Sequence, residues 1–520
     1  MNLIKKNIHM DCLKSKASNQ ITLEEDFNLP DVKPDMDKII FKEGDIRIDE
    51  VKASGDHVTV RGKLLASVLY ASADGGEQLA RVEKEIPFEE TVFLEGVESG
   101  DNVDYSYEIE DFSVSMINSR KASIRSIITL KMSVRELYDE EAATELYGEE
   151  EAEYRKKYLD IAEIAICKKD IYRIRQEIEF PAGMPNIAQI IWNSIRIGNL
   201  DFKALDGKIS VQGELEAFFL FEGEGEDRPV RFYETTMPFS GVIECSDCRE
   251  TMIPDITWQI SHKEFEVRPD FDGEERVVAL EMVLDLNIKM YEEEQVEILS
   301  DVYGVTKEIT AVTLPGSFKS LLIKNEGKCR ISDKLKIAPG AGKILQLMHS
   351  EAEAVLDETK IVEDGLELNG TLLVNCLYIT GDDKMPYFSL QGMLPFSYVM
   401  DVNGIDSQCT SNVSVSVEQL SVTMLDSEEL EVKAVVRVHA IVFCEHKEEM
   451  ITDIQVQDLD MNKVKNLPSM VIYVAGKDDS LWQIGKKYYI SVKRIKELNG
   501  LSGDELREGD KLLLVKGVQK

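Results

Sequence analysis

Trp482 follows Asp-Ser-Leu in the stretch DDSLWQIGKKYY, residues 478–489, and the lysine pair Lys486 and Lys487 comes one helical turn later. Asp479 and Ser480 carry short oxygen side chains of the kind that accept the free N–H groups at a helix start, so one of them is expected to cap the helix that follows. Leu481, Ile484, Tyr488, Val492, Ile495 and Leu498 recur at helical spacing and are expected to form a core. Trp482 lies off that stripe. An exposed tryptophan beside a loop brings a large contact area at low entropic cost, which suits the anchor of a binding interface. Lys477, Lys486 and Lys487 would form a basic rim around it. The chemistry is recognition.

Other reactive residue types give weaker patterns. Cys245-Ser-Asp-Cys248 is a lone C-x-x-C, and a structural zinc site commonly needs two such pairs. The nearest histidine in sequence is His262. His439, Cys444 and His446 lie on one strand pattern, where the odd separation of His439 from Cys444 puts them on opposite faces. No P-loop, His-Glu-x-x-His or Gly-x-Ser-x-Gly occurs, so the sequence predicts neither an enzyme nor a cofactor.

The elements that must position Trp482 belong to a chain of 520 residues with formal net charge −37. Residues 468–520 hold ten Lys/Arg against seven Asp/Glu, a net +3, which leaves −40 on the body. Such a body repels nucleic acid and anionic lipid and argues against both as partners. No apolar run reaches 18 residues and the N-terminus lacks a secretory core, so no transmembrane segment and a cytoplasmic location are expected. The eight cysteines are scattered, several inside apolar strand patterns such as LLVNCLY, and are expected to be reduced core residues.

Three anchors recur in order. A proline precedes an aliphatic pair at Pro34, Pro185 and Pro339; Gly-x-Leu opens an apolar run at Gly62, Gly213 and Gly370; an apolar-Pro-Phe follows at Pro87, Pro238 and Pro395. The first step is 28, 28 and 31 residues, and the second is 25 in all three copies, which indicates duplication. Period-two patterns such as HVTVRGKLLASVLY predict half-buried strands, separated by acidic turns such as ASADGGEQ and EGEGEDRP. The in-strand glycine predicts a bulge or a close backbone approach. The proline before the aliphatic pair predicts a short helical turn, giving each repeat one or two short helices.

The expected boundaries are an N-terminal segment 1–17, repeats at 18–135, 168–292 and 328–448, an acidic helical linker 136–167, a connector 293–327, a polar linker 449–467 that frees the tail, and a terminal module 468–520. The fold class is mainly β, with a small α+β module at the end.

That module, from about Val471 to Lys516, resembles a LysM domain of βααβ fold. KDDSLWQIGKKY is similar to the family pattern Lys-Gly-Asp-Thr-Leu-Trp-x-Ile-Ala-x-x-Tyr, and Leu498-Asn499 to its Leu-Asn. The body resembles three SPOCS domains, and the arrangement is similar to that of SipL-like spore-coat morphogenetic proteins. The resemblance implies a non-enzymatic adaptor at the forespore surface of the mother cell. Its LysM domain would engage a SpoIVA-like coat ATPase, with other coat proteins or self-association served by the β repeats. The partner-facing set is then Trp482, Lys477, Ile472, Lys486 and Lys487. The alternative is peptidoglycan binding at cortex or cell wall through Asp478, Asp479, Ser480, Leu481, Asn499, Gly500 and Leu501. Asp478 and Ala475 depart from the pattern where glycine and valine are usual. The charged side chain and the lost freedom for positive φ weaken the glycan reading.

Overall fold

A computed structural model describes residues 1–72, 79–148, 151–225, 228–382, 386–460 and 468–515. Residues 73–78 and 226–227, in two of the expected acidic turns, and 461–467, in the expected linker, lie outside them. Each repeat contributes six antiparallel strands. The first repeat comprises β1 (Asn2–Asn28), β2 (Met36–Ala53), β3 (His57–Ser72), β4 (Leu79–Phe93), β5 (Val103–Asn118) and β6 (Lys121–Tyr147). The second comprises β7 (Ala152–Glu179), β8 (Ile187–Leu205), β9 (Lys208–Gly223), β10 (Val230–Glu244), β11 (Ile253–Pro269) and β12 (Glu275–Gly304). The third comprises β13 (Lys307–Lys336), β14 (Ile344–Val362), β15 (Gly365–Thr380), β16 (Tyr387–Asp401), β17 (Cys409–Met424) and β18 (Glu429–Asp458).

In every repeat the middle strands form one three-stranded sheet (β2-β3-β4, β8-β9-β10, β14-β15-β16), and the outer strands form another (β1-β6-β5, β7-β12-β11, β13-β18-β17). The two sheets enclose one apolar core, as Val60, Leu64 and Val68 of β3 meet Ile124, Ile128 and Leu130 of β6. These are the alternating positions that the period-two patterns supply.

The constant 25-residue step has a structural cause. Gly62 pairs with Phe88, Gly213 with Phe239 and Gly370 with Phe396 across neighbouring strands. Each phenylalanine ring lies over its glycine, and a Cβ on Gly370 would stand 2.5 Å from Phe396 Cζ and 2.4 Å from the Val355 carbonyl oxygen. The expected close approach is therefore a glycine shielded by an aromatic ring from the next strand.

The aliphatic pairs do not form helical turns. They lie in β2, β8 and β14, where the register slips between Ile39 and Phe41, Ile190 and Trp192, and Ile344 and Gln346. A bulge lets two adjacent residues face inward, so Ile40 and Phe41 are both buried, as are Ile191 and Trp192. That break in the alternation imitates a helical pattern. The only helices among the described residues lie in the terminal module.

The described residues of 136–167 (136–148 and 151–167) are not a helical linker. β6 continues to Tyr147 paired with β1, and β7 begins at Ala152 paired with β12. The Ala/Glu-rich composition favours a helix locally, but strand pairing overrides it. Ala142, Ala143, Ile161 and Ala162 are buried between ribbons, while Lys5–Glu141 (2.8 Å) and Lys156–Glu297 (3.0 Å) pair charges across strands. Likewise 1–17 lies in β1, 293–327 falls largely in β12 and β13, and 449–458 ends β18.

The three repeats pack together. Ile8 and Met10 of β1, Ala142 of β6, Ile161 of β7, Val296 and Ile298 of β12, Phe318 of β13 and Met450 of β18 share one cluster, so the long ribbons of all three repeats form a common stalk. At the other end the small sheets meet. Leu69, Leu220 and Leu377, each seven residues past its glycine anchor, join one cluster together with Leu79, Val230 and Tyr387. Equivalent positions of three copies in one core define a pseudo-threefold arrangement.

A buried polar layer borders this junction. His349 and Glu351 of β14 are 8 % and 5 % exposed. Glu351 accepts from Ser194 Oγ (2.6 Å) and pairs with Arg196 (3.1 Å), both on β8, while His349 Nδ1 meets Glu234 of β10 at 3.1 Å and its ring stacks on Phe218 at 4.0 Å. Burial alone would raise the Glu351 carboxyl, but Arg196, His349 and Ser194 hold it down at about 2.

The cysteines are reduced with one exception. A disulfide joins Cys409 and Cys444, directly opposed on β17 and β18, whose Cα atoms are 4.0 Å apart. Register brings the two together across a separation of 35 residues, which composition does not reveal. Cys245 and Cys248 are free, buried and joined by a turn in which Cys248 N–H donates to the Cys245 carbonyl at 2.9 Å. His439 is half-buried and His446 is exposed, hydrogen-bonded to Ser320 Oγ at 2.8 Å.

Candidate functional site

The terminal module is built from β19 (Met470–Val474), α1 (Leu481–Tyr488), α2 (Val492–Asn499) and β20 (Lys511–Val515), with β19 and β20 paired antiparallel. Ser480 caps α1 in a capping box with Gln483, and Ser491 caps α2. Leu481, Ile484 and Ile495 are buried with Ile490, Leu512 and Leu514, and Tyr488 and Val492 pack against them. Leu498, expected in this core, is 38 % exposed at the end of α2.

Trp482 is not exposed. It is 5 % accessible, and the body of the same chain covers it. Its indole Nε1 donates to Asp301 Oδ2 at 2.7 Å, its ring meets Tyr303 edge-on at 4.7 Å between centroids, and the Arg155 guanidinium lies 4.8 Å from the ring. Lys486, one turn along α1 from Trp482, donates to Asp301 Oδ1 at 2.6 Å. Tyr303 Oη donates to the Ile490 carbonyl at 2.9 Å, and Tyr489 Oη donates to Glu308 Oε2 at 2.7 Å. Gly485 is required where α1 approaches, because a Cβ there would stand 2.5 Å from Tyr303 Oη and 2.6 Å from the Ile490 carbonyl oxygen.

The seat for α1 is the stalk end of the second repeat and the start of the third. Asp301 and Tyr303 sit on β12, Arg155 pairs with Asp301 from β7, and Glu308 lies on β13. The register shift between Leu299 and Asp301 is at this point. Burial opposes ionisation of Asp301, but Lys486, Trp482 and the Val302 N–H hold its carboxyl below the usual range. Burial pushes the Tyr489 hydroxyl up to about 12, assisted by Glu308.

The other expected partner-facing residues remain at the surface. Lys477 and Lys487 are exposed, Lys487 near the Tyr473 and Tyr488 rings at 5.9 and 5.7 Å. Ile472 is 70 % exposed. It stands in a row with Met470 and Val474, and pairs with Leu513 of β20. Together these make an apolar outward face on the hairpin. Ile472 alone of that row is named by the family resemblance; Met470 and Val474 are not, because a five-residue strand that alternates Met, Ile and Val with Val and Tyr does not show which face is covered.

The alternative glycan set is mostly engaged within the fold. Asp479 accepts from Gly476 N–H (2.8 Å) and Tyr473 Oη (2.7 Å). The Asn499 amide donates to the Ile495 and Leu513 carbonyls (2.8 and 2.9 Å) and accepts from Leu513 N–H (2.6 Å). Leu481 is buried, Leu501 packs on the core, and Gly500 closes α2 at φ 64°. Asp478 is exposed and does not adopt positive φ, so the backbone conformation there does not require glycine. Among the described residues no three or more His, Cys, Asp or Glu side chains cluster as a metal site, and no helix is long and apolar enough to cross a membrane.

This is a protein of three tandem β domains ending in a βααβ module, and the comparisons agree with that class. The family described as "SipL, SPOCS domain" matches residues 35–117, 186–268 and 343–425, and the LysM domain family matches 473–515. The chain thus has the SipL-like architecture of three SPOCS domains followed by a C-terminal LysM domain. No curated protein and no solved structure gave a match. Both families are non-catalytic binding domains; SPOCS suggests a sporulation-related role, and LysM suggests peptidoglycan or carbohydrate binding.

Proposed function

We propose that the chain is a non-enzymatic adaptor of spore-coat assembly, whose LysM domain binds a protein partner, a SpoIVA-like coat ATPase, and whose packed body offers surfaces to other coat proteins. Its place would be the mother cell, at the forespore surface. One observation carries the choice of protein over sugar: the polar side chains of the candidate sugar loops, Asp479, Ser480 and Asn499, are hydrogen-bonded within the fold, whereas Met470, Ile472 and Val474 stand outward at 63, 70 and 56 % exposure. An exposed apolar row of this kind suits a protein surface.

Peptidoglycan binding remains the second reading, because the loop 476–478 and the turn 500–503 are largely exposed. Pelleting decides between the two. The intact chain should co-pellet with polymerised coat ATPase and not with insoluble peptidoglycan, and Ile472→Asp should abolish the co-pelleting. Pelleting with peptidoglycan alone would reverse the choice.

A further inference from the structure

The face of α1 that carries Trp482 and Lys486 is occupied by the chain itself. The contact is specific: one carboxylate, Asp301, receives both the indole N–H and the ammonium, at 2.7 and 2.6 Å, and its Oδ1 also accepts from Val302 N–H at 2.8 Å. An aromatic edge, Tyr303, closes over the indole. The charges are complementary, since α1 has Lys486 and Lys487 in its last turn and the seat brings Asp301 and Glu308. Beside the Trp482–Tyr303 ring contact, two tyrosine hydroxyl bonds, one indole bond and one ion pair hold it, and contacts between domains of one chain that rest partly on such polar bonds are the kind that open and close.

We infer that the Asp301–Tyr303 end of the stalk is a docking seat that competes with the coat partner for the Trp482–Lys486 face of the LysM domain, so that capture of the partner requires release of the seat. The inference rests on the protein-binding reading above and adds the chemistry of the partner. A surface that displaces the seat must offer the same groups, a carboxylate beside an aromatic ring. The Ile472 row stays accessible in the docked state and makes first contact; the Trp482 face becomes available only afterwards. A domain that is docked about 90 % of the time binds through that face about tenfold more weakly than a released one.

Asp301→Ala and Tyr303→Phe test this in the full chain, since both change the seat and leave the LysM surface intact. Tyr303→Phe keeps the ring and removes only the bond to the Ile490 carbonyl, so folding is preserved. Backbone hydrogen exchange over residues 481–490 reads the docking, and affinity for polymerised SpoIVA-like ATPase reads the competition. The expected result is faster exchange in both variants, larger for Asp301→Ala, with binding tightened about tenfold in that variant. Faster exchange with unchanged or weaker binding would overturn the competition. Equal exchange in wild type and both variants would overturn the seat. Faster exchange with no binding by any form, wild type included, would instead sink the choice of partner and leave the seat standing as a structural contact.

Discussion

Trp482 Nε1 lies 2.7 Å from Asp301 Oδ2, across 181 residues of sequence, and this bond ties the C-terminal LysM domain to the stalk formed by the three SPOCS repeats. The same carboxylate receives Lys486, so a single side chain of β12 fixes two positions of α1. Trp482→Phe should separate the bond from the packing. The phenyl ring can still meet Tyr303, but the charge-assisted bond is lost, which costs about 1.5–3 kcal/mol of docking. Hydrogen exchange over residues 481–490 of the full chain should rise to match, while the unfolding temperature of the body stays unchanged.

Acid should release the same contact. Folding and docking lower the Asp301 pKa from its ordinary 3.8, so its contribution is fully present above that value and is lost as pH falls through the docked pKa. Docking followed by the tryptophan emission maximum should be constant from neutral pH down to about 4, and Trp482 should become solvent-exposed below it. Asp301→Asn should remove this transition while leaving any acid unfolding of the body in place.

The buried layer between repeats two and three should respond at the opposite end of the scale. Burial alone would lower the His349 pKa, but its contacts with Glu234 and Glu351 outweigh burial and raise it above 6.5. A raised histidine contributes stability that is full below its unfolded pKa and is lost as pH rises through the folded one. The equivalent residues of the other two repeats are Phe41 and Trp192. His349→Phe keeps the aromatic stack on Phe218 and should flatten the loss of thermal stability expected of wild type as the pH rises above about 6.5 in a melting series.

Glycine anchors should differ in tolerance. At Gly370 an added Cβ meets the Val355 backbone oxygen at 2.4 Å, which cannot move aside without distorting the sheet. At Gly213 the nearest atoms it meets are those of side chains, Phe239 and Leu200, at 2.6 and 3.2 Å. Gly370→Ala should therefore destabilise its repeat by about 1–3 kcal/mol, and Gly213→Ala by less. Denaturant titration of the two variants ranks them; equal losses would mean that ring displacement, not the backbone clash, sets the penalty.

The repeats, their strands and the terminal module were legible in the sequence because each rests on local patterning. The 25-residue step was visible, but its cause, glycine under phenylalanine on the next strand, is a register fact. Two misreadings share one origin. Glu-rich residues 136–147 favour a helix in isolation, and the proline before Ile39-Ile40 suggests a helical turn, yet partners distant in sequence decide both: β1 pairs with the first, and β3 pairs with the strand that carries the second. Trp482 was correctly singled out as lying off the helix core stripe and wrongly placed in solvent. What covers it, Asp301 and Tyr303, lies on a strand of another domain, and no spacing within the LysM segment points there.

The indole N–H of Trp482 reports on the central claim most directly. The chain has three tryptophans, so a full-length sample labelled with ¹⁵N-tryptophan gives three indole signals, assignable through Trp192→Phe and Trp258→Phe. In wild type the Trp482 indole proton should exchange slowly and lose that protection on Asp301→Ala. A wild-type Trp482 indole that exchanges as fast as that of an exposed tryptophan would contradict the docked LysM domain.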